Sequence, residues 1–155
     1  MSTARDLMVT RFYTLAPDMS VADAIRVFRE ASKIEGQKVF GIMVTDGKSR
    51  LVGMLSMYDI LLYLRPKHIH IWGSMTDIEY SGLMDQACER LKSIQVADIM
   101  TTEVITVGPD AHLMFILDLM IKKHIRRVPV VENQKILGIV YISNLFYHLL
   151  DRIGH

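Results

Sequence analysis

The chain is written twice. Arg5-Asp6-Leu7-Met8 returns as Ala97-Asp98-Ile99-Met100, at an offset of 98 − 6 = 92 residues. The same offset carries Thr14 onto Thr106, Leu15 onto Val107, Pro17 onto Pro109 and Asp18 onto Asp110. Past a helical stretch the offset falls to 86, setting Asp46 over Glu132. It then falls to 85, setting Leu51-Val52-Gly53 over Ile136-Leu137-Gly138 and Asp59 over Asn144. The matches fall on turn residues and on apolar positions, in the same order. Self-similarity of this kind means one supersecondary unit used twice, in which neither copy need bury its apolar face alone. Copy one spans residues 4–64, copy two spans 96–150, and 65–95 is a linker between them. Copy one holds 92 − 86 = 6 extra residues near Lys33–Lys38, with no purpose evident from the sequence.

Each copy predicts the same elements. A short extended piece (Tyr13–Leu15; Val104–Val107) runs into Pro-Asp, where the ring fixes φ and marks a turn. An amphipathic helix follows. In copy one Ser20 is a good N-cap, and Val21, Ala24, Ile25 and Phe28 share a face; in copy two the face is Leu113, Ile116, Leu117 and Met120. Two apolar strands come next, Val39–Thr45 with Leu51–Leu55 and Val128–Val131 with Ile136–Ile142. Their turns are Asp46-Gly47 and Asn133-Gln134. A last helix closes each copy, Tyr58–Leu64 or Asn144–Leu150. The linker's second half, Gly82–Gln95, places Leu83, Ala87, Leu91 and Ile94 at helical spacing and predicts a further helix.

Composition narrows the function classes. Half of the 155 residues are hydrophobic and 23% are charged, a balance that supports a packed core and opposes disorder. The net charge of +1 provides no field of one sign to attract nucleic acid or an acidic membrane. Cys88 is the only cysteine, so no internal disulfide forms, which fits a reducing cytoplasm. The opening MSTARDLMVTRF has no signal-peptide apolar core, and the apolar stretches are too short for a membrane span. A cytoplasmic location is expected. The eleven methionines read as core fillers rather than as metal ligands.

Three stretches carry a family resemblance: Asp-Ile-Met-Thr (98–101), Ile-Arg-Arg-Val-Pro-Val-Val-Glu (125–132) and Leu-Val-Gly-Met-Leu-Ser-Met-Tyr-Asp-Ile (51–60). In order, spacing and duplication the chain resembles a CBS-domain pair, the tandem module named after cystathionine β-synthase. The resemblance implies an α/β fold of two βαββα units packed sheet to sheet with pseudo-two-fold symmetry. It implies a homodimer, and a regulatory ligand rather than a catalysed reaction. The implied ligand is an adenine nucleotide of the AMP, ADP or ATP class, or S-adenosylmethionine, and no catalytic cofactor is expected. With no effector domain in the chain, an energy- or metabolite-sensing signal would pass to a separate partner protein. The competing reading is an interaction module that binds no ligand.

The resemblance also suggests site residues. Ser56-Met57-Tyr58-Asp59 matches the family's ribose motif, a small hydroxyl residue, two spacers and Asp at a strand-to-helix junction. A carboxylate accepts two hydrogen bonds from vicinal ribose hydroxyls, Ser56 can donate to phosphate, and a helix start favours anions. Taken without the family, Asp59 reads sooner as a helix cap or a solvated charge than as a ribose ligand. Arg126 and Arg127 match phosphate-contacting basic residues and would face Asp59. By composition alone they end a basic surface run from Lys122. Strand alternation would send only one of them to the ligand. Val104 and Ile105, with Pro129, Phe40 and Met54, would wall the adenine or simply pack the core. In the second site Tyr141 and Asn144 replace the hydroxyl residue and Asp, and Phe40 and Gly41 stand where copy two has its arginines. That site is expected to be degenerate.

Other signals carry little. Gly47-Lys48-Ser49 mimics the end of a phosphate-binding loop, but position 42 is Ile where Gly is needed, so a hairpin turn is expected. His68-x-His70 has no Cys or carboxylate partners at zinc-like spacing. Cys88 has no His at a motif spacing, and no Ser lies in a nucleophile elbow. The expectation is a non-enzymatic protein without a metal site.

Overall fold

The computed structural model describes residues 2–65 and 77–154, and the side chains of all of these except 77–81. Its elements follow the order α1 (Ala4–Leu7), β1 (Thr14–Leu15), α2 (Val21–Glu35), β2 (Gly41–Thr45), β3 (Leu51–Ser56), α3 (Met57–Leu64) and α4 (Asp77–Arg90). Copy two follows with α5 (Val96–Ile99), α6 (Leu113–Lys123), β4 (Arg127–Glu132), β5 (Lys135–Tyr141) and α7 (Ile142–Ile153). The fold is mixed α/β, with small sheets and helices in both copies.

The compact units in space are not the two copies in sequence. One unit takes Tyr13–Lys48 and Val52–Glu103; the other takes Met1–Phe12, Ser49–Leu51 and Val104–His155. Each copy has therefore given its leading segment to the unit built around the other copy. The two leading segments are held in the same way. In the copy-one unit Val96 and Ala97 donate their N–H groups to the carbonyls of Met19 and Pro17, at 2.8 and 2.9 Å. In the copy-two unit Ala4 and Arg5 donate to Ala111 and Pro109, at 2.9 and 3.0 Å. These residues correspond at the same offset of 92 that relates the sequences. The Pro-Asp turn thus stops the preceding extended piece and also presents carbonyls that start a short helix.

In the copy-one unit β1, β2 and β3 form a three-stranded sheet, with β1 parallel to β2 through Thr14 opposite Met43 and Leu15 opposite Val44. In the copy-two unit β4 and β5 form an antiparallel hairpin from Arg127 opposite Tyr141 to Glu132 opposite Lys135. The counterpart of β1 there is a single parallel bridge between Val107 and Val130. Of the predicted extended segment 104–107, only Val107 makes a strand-type bridge. Its bonds are Val107 N–H to the Pro129 carbonyl at 3.0 Å and Val131 N–H to the Val107 carbonyl at 2.9 Å.

Caps set the helix lengths. Ser20 accepts the Asp23 N–H and opens α2, which closes at Gly36 with φ of 70°, a conformation that suits glycine. His112 opens α6 by accepting the Met114 N–H on Nδ1, and His124 closes it with φ of 54°. Helix α2 has 15 residues and α6 has 11, so four of the six extra residues of copy one extend this helix by one turn. The other two lengthen the approach to β2. Tyr13 donates to Glu35 at 2.8 Å and Ser32 Oγ accepts the Val39 N–H at 2.9 Å, fixing that extension.

The turns differ between copies. Asn133 and Gln134, with φ of 54° and 69°, make a two-residue hairpin whose twist matches the strands. In copy one Asp46 Oδ1 accepts the Lys48 N–H at 2.9 Å, and the left-handed residue is Ser49 rather than Gly47. The linker helix α4 begins earlier and ends earlier than the spacing of 82–95 predicts. Leu91 still packs into the copy-one core just beyond its end.

Each unit has its own core. Leu15, Val21, Ala24, Ile42, Val44, Leu55 and Ile60 fill one, with Leu91 and Val96 supplied by the segment after α4. Val107, Leu113, Ile116, Met120, Val128, Val130, Val140 and Leu145 fill the other, with Ala4 supplied by α1. Met43 and Met120 are buried as expected of core fillers, but Met57, Met84 and Met114 are about half exposed. Among the described residues no helix is long and apolar enough to cross a membrane.

Candidate functional site

Strand β3 delivers its last residue, Ser56, as the N-cap of α3. Ser56 Oγ accepts the Asp59 N–H at 3.2 Å, and Asp59 Oδ2 accepts the Ser56 N–H at 2.9 Å and the Ser56 hydroxyl at 3.0 Å. This is a reciprocal capping box, which satisfies the free donors of a helix's first turn. The ribose-type motif and the capping box are one set of atoms here. The capping geometry aims Asp59 and fixes it.

The other carboxylate oxygen meets a residue that the sequence reading did not single out. Thr101 Oγ1 donates to Asp59 Oδ1 at 3.2 Å and lies 3.5 Å from Oδ2. Thr101 belongs to copy two, in the leading segment that joins the copy-one unit. Its N–H and carbonyl bond the carbonyl and N–H of Met54, both at 2.9 Å, adding one bridge to the edge of β3. Gly53 makes room for this: a Cβ there would meet Met100 Sδ at 2.7 Å and the Thr101 carbonyl at 3.0 Å. The signal was present in Asp98-Ile-Met-Thr. Only the exchange of segments explains why its threonine reaches a carboxylate 42 positions away.

Phe40 borders the same helix start, its carbonyl accepting the Met57 N–H at 2.8 Å while its ring is exposed. Met54 is half-buried. The copy-one unit therefore brings together Ser56, Asp59, Phe40 and Met54, and adds Thr101.

The copy-two unit repeats the layout with different side chains. The Arg126 carbonyl accepts the Ile142 N–H at 2.9 Å, as Phe40 does for Met57. Arg127 lies opposite Tyr141 in the β4–β5 ladder. Both arginines thus border the start of α7 in their own unit. Tyr141 is the N-cap of α7 and provides no side-chain cap, and Asn144 Oδ1 accepts weakly from Ser143 at 3.4 Å. The place of Thr101 is taken by Val9, which bridges Ile139.

Arg126 lies just before β4 and is exposed, while Arg127 opens the strand and is half-buried. Burial pushes the Arg127 guanidinium below its usual value. Tyr141 opposes that shift, and Arg126 adds to it as a like charge. Val104 is half-buried, Ile105 packs on the copy-two core, and Pro129 is buried with its carbonyl bonded to Val107. An open hollow of about 550 Å³ in the same unit is lined by Ser2, His112, Leu113, Met114, Leu149, Arg152 and Ile153. None of these was a sequence-derived candidate.

Among the described residues no group of three or more His, Cys, Asp or Glu side chains is placed to hold a metal ion. His68 and His70 lie outside the described residues.

Comparison with known proteins agrees with this architecture. The family model described as CBS domain matches twice, at residues 4–66 and 96–151. An uncharacterized protein of Methanocaldococcus jannaschii is 32% identical, over 86% of this chain and 83% of that protein. Among solved structures, the CBS-pair protein CBSX2 from Arabidopsis thaliana is similar with a TM-score of 0.76 and 26% identity, covering 99% of this chain and 97% of that one. CBSX2 in complex with AMP is similar with a TM-score of 0.71 at the same identity, covering 96% and 97%. With both copies matched by one family model and the whole fold shared with a CBS pair, this chain belongs to the CBS-domain family as a tandem pair.

Proposed function

We propose that the chain is a regulatory module that binds an adenine nucleotide of the AMP, ADP or ATP class and signals to a separate partner protein, without catalysing a reaction. Asp59 is the proposed acceptor for the ribose hydroxyls, held in place by Ser56. Arg126 and Arg127 are the proposed phosphate donors, since a guanidinium fork matches phosphate oxygens. Phe40, Met54, Val104, Ile105 and Pro129 are the proposed apolar contacts of the base. The observation that carries this reading is a carboxylate fixed at a helix start, with one oxygen committed to the cap and the other met, among the described residues, only by the Thr101 hydroxyl. The AMP complex of CBSX2, a relative at 26% identity, supports the choice of ligand. A ligand of this kind regulates only by binding two states of the protein with different affinity.

Titration calorimetry of the full chain with AMP, ADP, ATP and S-adenosylmethionine tests the proposal. Binding of an adenine nucleotide that Asp59→Ala weakens at least about tenfold, the loss of roughly 1.4 kcal/mol, supports it. Unchanged affinity in that variant removes Asp59 from the site, and steady consumption of ATP would mark an enzyme instead.

A second reading has its own observation. Helix α3 exposes Tyr58, Leu61 and Leu62, and α7 exposes Phe146, Tyr147, Leu150 and Ile153. Apolar faces of that kind mark interaction surfaces. A homodimer built on them, with or without nucleotide, is expected to appear as a dimer mass in sedimentation that Tyr147→Lys reduces to a monomer.

A further inference from the structure

We infer that Thr101 is a built-in competitor for Asp59 and sets how many ribose hydroxyls the site reads. This rests on the proposed role of Asp59 toward ribose and concerns the regulation of that same carboxylate.

An ionised carboxylate offers about four lone-pair positions. Among the described residues three donors already occupy Asp59: the Ser56 N–H at 2.9 Å, the Ser56 hydroxyl at 3.0 Å and the Thr101 hydroxyl at 3.2 Å. One position remains. A vicinal diol brings two donors, so full engagement of both ribose hydroxyls requires that one resident donor leave.

The three residents are not equally free to go. The Ser56 N–H is backbone and cannot turn. The Ser56 hydroxyl belongs to the cap, and Ser56 Oγ also accepts the Asp59 N–H. The Thr101 hydroxyl moves about a single bond, and its backbone is pinned independently by two bonds to Met54. It can swing away without shifting the chain, and Thr101 is exposed, so the released hydroxyl finds water. Thr101 is the donor that a second ribose hydroxyl displaces.

The other unit supports this pairing of roles. Where Asp59 is replaced by Asn144, Thr101 is replaced by Val9. The carboxylate and its competing hydroxyl occur together in one unit, and the other has an amide and an aliphatic side chain in their places.

The consequence is a site that in its resting form reads one hydroxyl. Native protein is expected to bind AMP and 2′-deoxy-AMP with affinities within about threefold of each other. Thr101→Val removes the competitor while keeping the shape. It is expected to tighten AMP about three- to tenfold, the range set by one net hydrogen bond, and to leave 2′-deoxy-AMP within about twofold. Thr101→Ser restores the hydroxyl and is expected to restore native affinities. The experiment is calorimetric titration of AMP and 2′-deoxy-AMP into native, Thr101→Val, Thr101→Ser and Asp59→Asn full-length chains, each first shown to melt as the native chain does.

AMP binding that Asp59→Asn weakens but Thr101→Val leaves unchanged or also weakens overturns this inference alone and makes Thr101 an ordinary contact. AMP binding indifferent to Asp59→Asn, or no binding at all, overturns the ribose role of Asp59 and this inference with it.

Discussion

Gly138→Ala is expected to destabilise the chain, and two other glycines calibrate the effect. A Cβ at Gly138 would lie 2.7 Å from the Val9 carbonyl oxygen and 3.1 Å from the Met8 side chain. The Val9 carbonyl cannot retreat freely. It accepts the Ile139 N–H at 3.0 Å, while the Val9 N–H donates to Ile139 at 2.8 Å. Making room therefore loosens both bonds that hold the exchanged leading segment to β5. Overpacking of this kind costs about 1–3 kcal/mol. Alanine recovers about 0.4–1 kcal/mol by restricting the unfolded chain. The net loss is about 0–2.6 kcal/mol, centred near 1.3, or up to roughly 10 °C for a chain of this size. At Gly53 the nearest atom is the flexible Met100 sulfur, with the Thr101 carbonyl at 3.0 Å, so Gly53→Ala is expected to cost less, about 0–1 kcal/mol. Gly47 has no atom within 4 Å and is not left-handed, so Gly47→Ala is expected to be neutral or to gain up to about 1 kcal/mol. Urea unfolding followed by fluorescence and circular dichroism ranks the three, provided the two probes coincide, since two compact units need not unfold together. A Gly138→Ala chain as stable as Gly47→Ala would refute the claim that the leading segment is held rigidly against β5.

Two further outcomes follow from single charges. The Thr3 backbone N–H donates to Asp6 at 2.9 Å and holds its carboxyl below the ordinary aspartate value. A carboxyl depressed on folding stabilises above its unfolded value and loses that contribution as pH falls through its folded value. Asp6→Asn is therefore expected to melt below the native chain near neutral pH, and the gap is expected to close in acid, as read by melting midpoints across pH. A gap that widens in acid would reverse the sign. Arg127 is desolvated beside Arg126, and no described carboxylate is paired with it. Arg127→Met is expected to raise the urea midpoint slightly, by at most about 1 kcal/mol after solvent screening. A lower midpoint would show that the guanidinium stabilises the fold more than its burial costs.

Most of the fold was legible because the chain repeats its punctuation. Pro17 and Pro109, Ser20 and the two hairpin turns each act locally, so their positions alone place the elements. The apolar faces of α2 and α6 were equally plain, since burial follows helical periodicity. Which copy each leading segment joins was not legible. Ala4–Leu7 and Val96–Ile99 carry the same local signals, and nothing in a four-residue helix encodes which Pro-Asp turn will receive it. For that reason Thr101 escaped notice. Its importance comes from a tertiary contact across 42 positions rather than from any motif of its own. The arginines were visible as a basic pair. Their place at the start of α7 follows from strand register, which is set by the short Asn133-Gln134 turn together with a one-residue shift between Val130 and Val131.

The Ser-x-x-Asp spacing at residues 56–59 forms a capping box, and the proposed ribose role asks for a different oxygen of the same carboxylate. A capping box asks for one carboxylate oxygen, the one turned back toward the chain, and Asp59 satisfies it with Oδ2. On the proposed reading a ribose diol would meet the other oxygen, Oδ1, which accepts the Thr101 hydroxyl. A ligand that had to break the cap would lose both the ligand bond and the first turn of α3, a cost of about 0.5–2 kcal/mol on the scale of lost caps. A ligand that displaces only the Thr101 hydroxyl leaves the cap intact and returns a small alcohol to water. The cap stabilises the helix and pre-orients the acceptor, so binding need not order it afresh. Asn144 lacks this economy. Its amide has a single oxygen, and no serine precedes it at the cap, because that place is Tyr141. The two halves of the repeat thus share a backbone layout and differ at their helix starts, with a capped carboxylate in one and, in the other, an amide under Tyr141 with Arg126 and Arg127 on the adjoining strand edge.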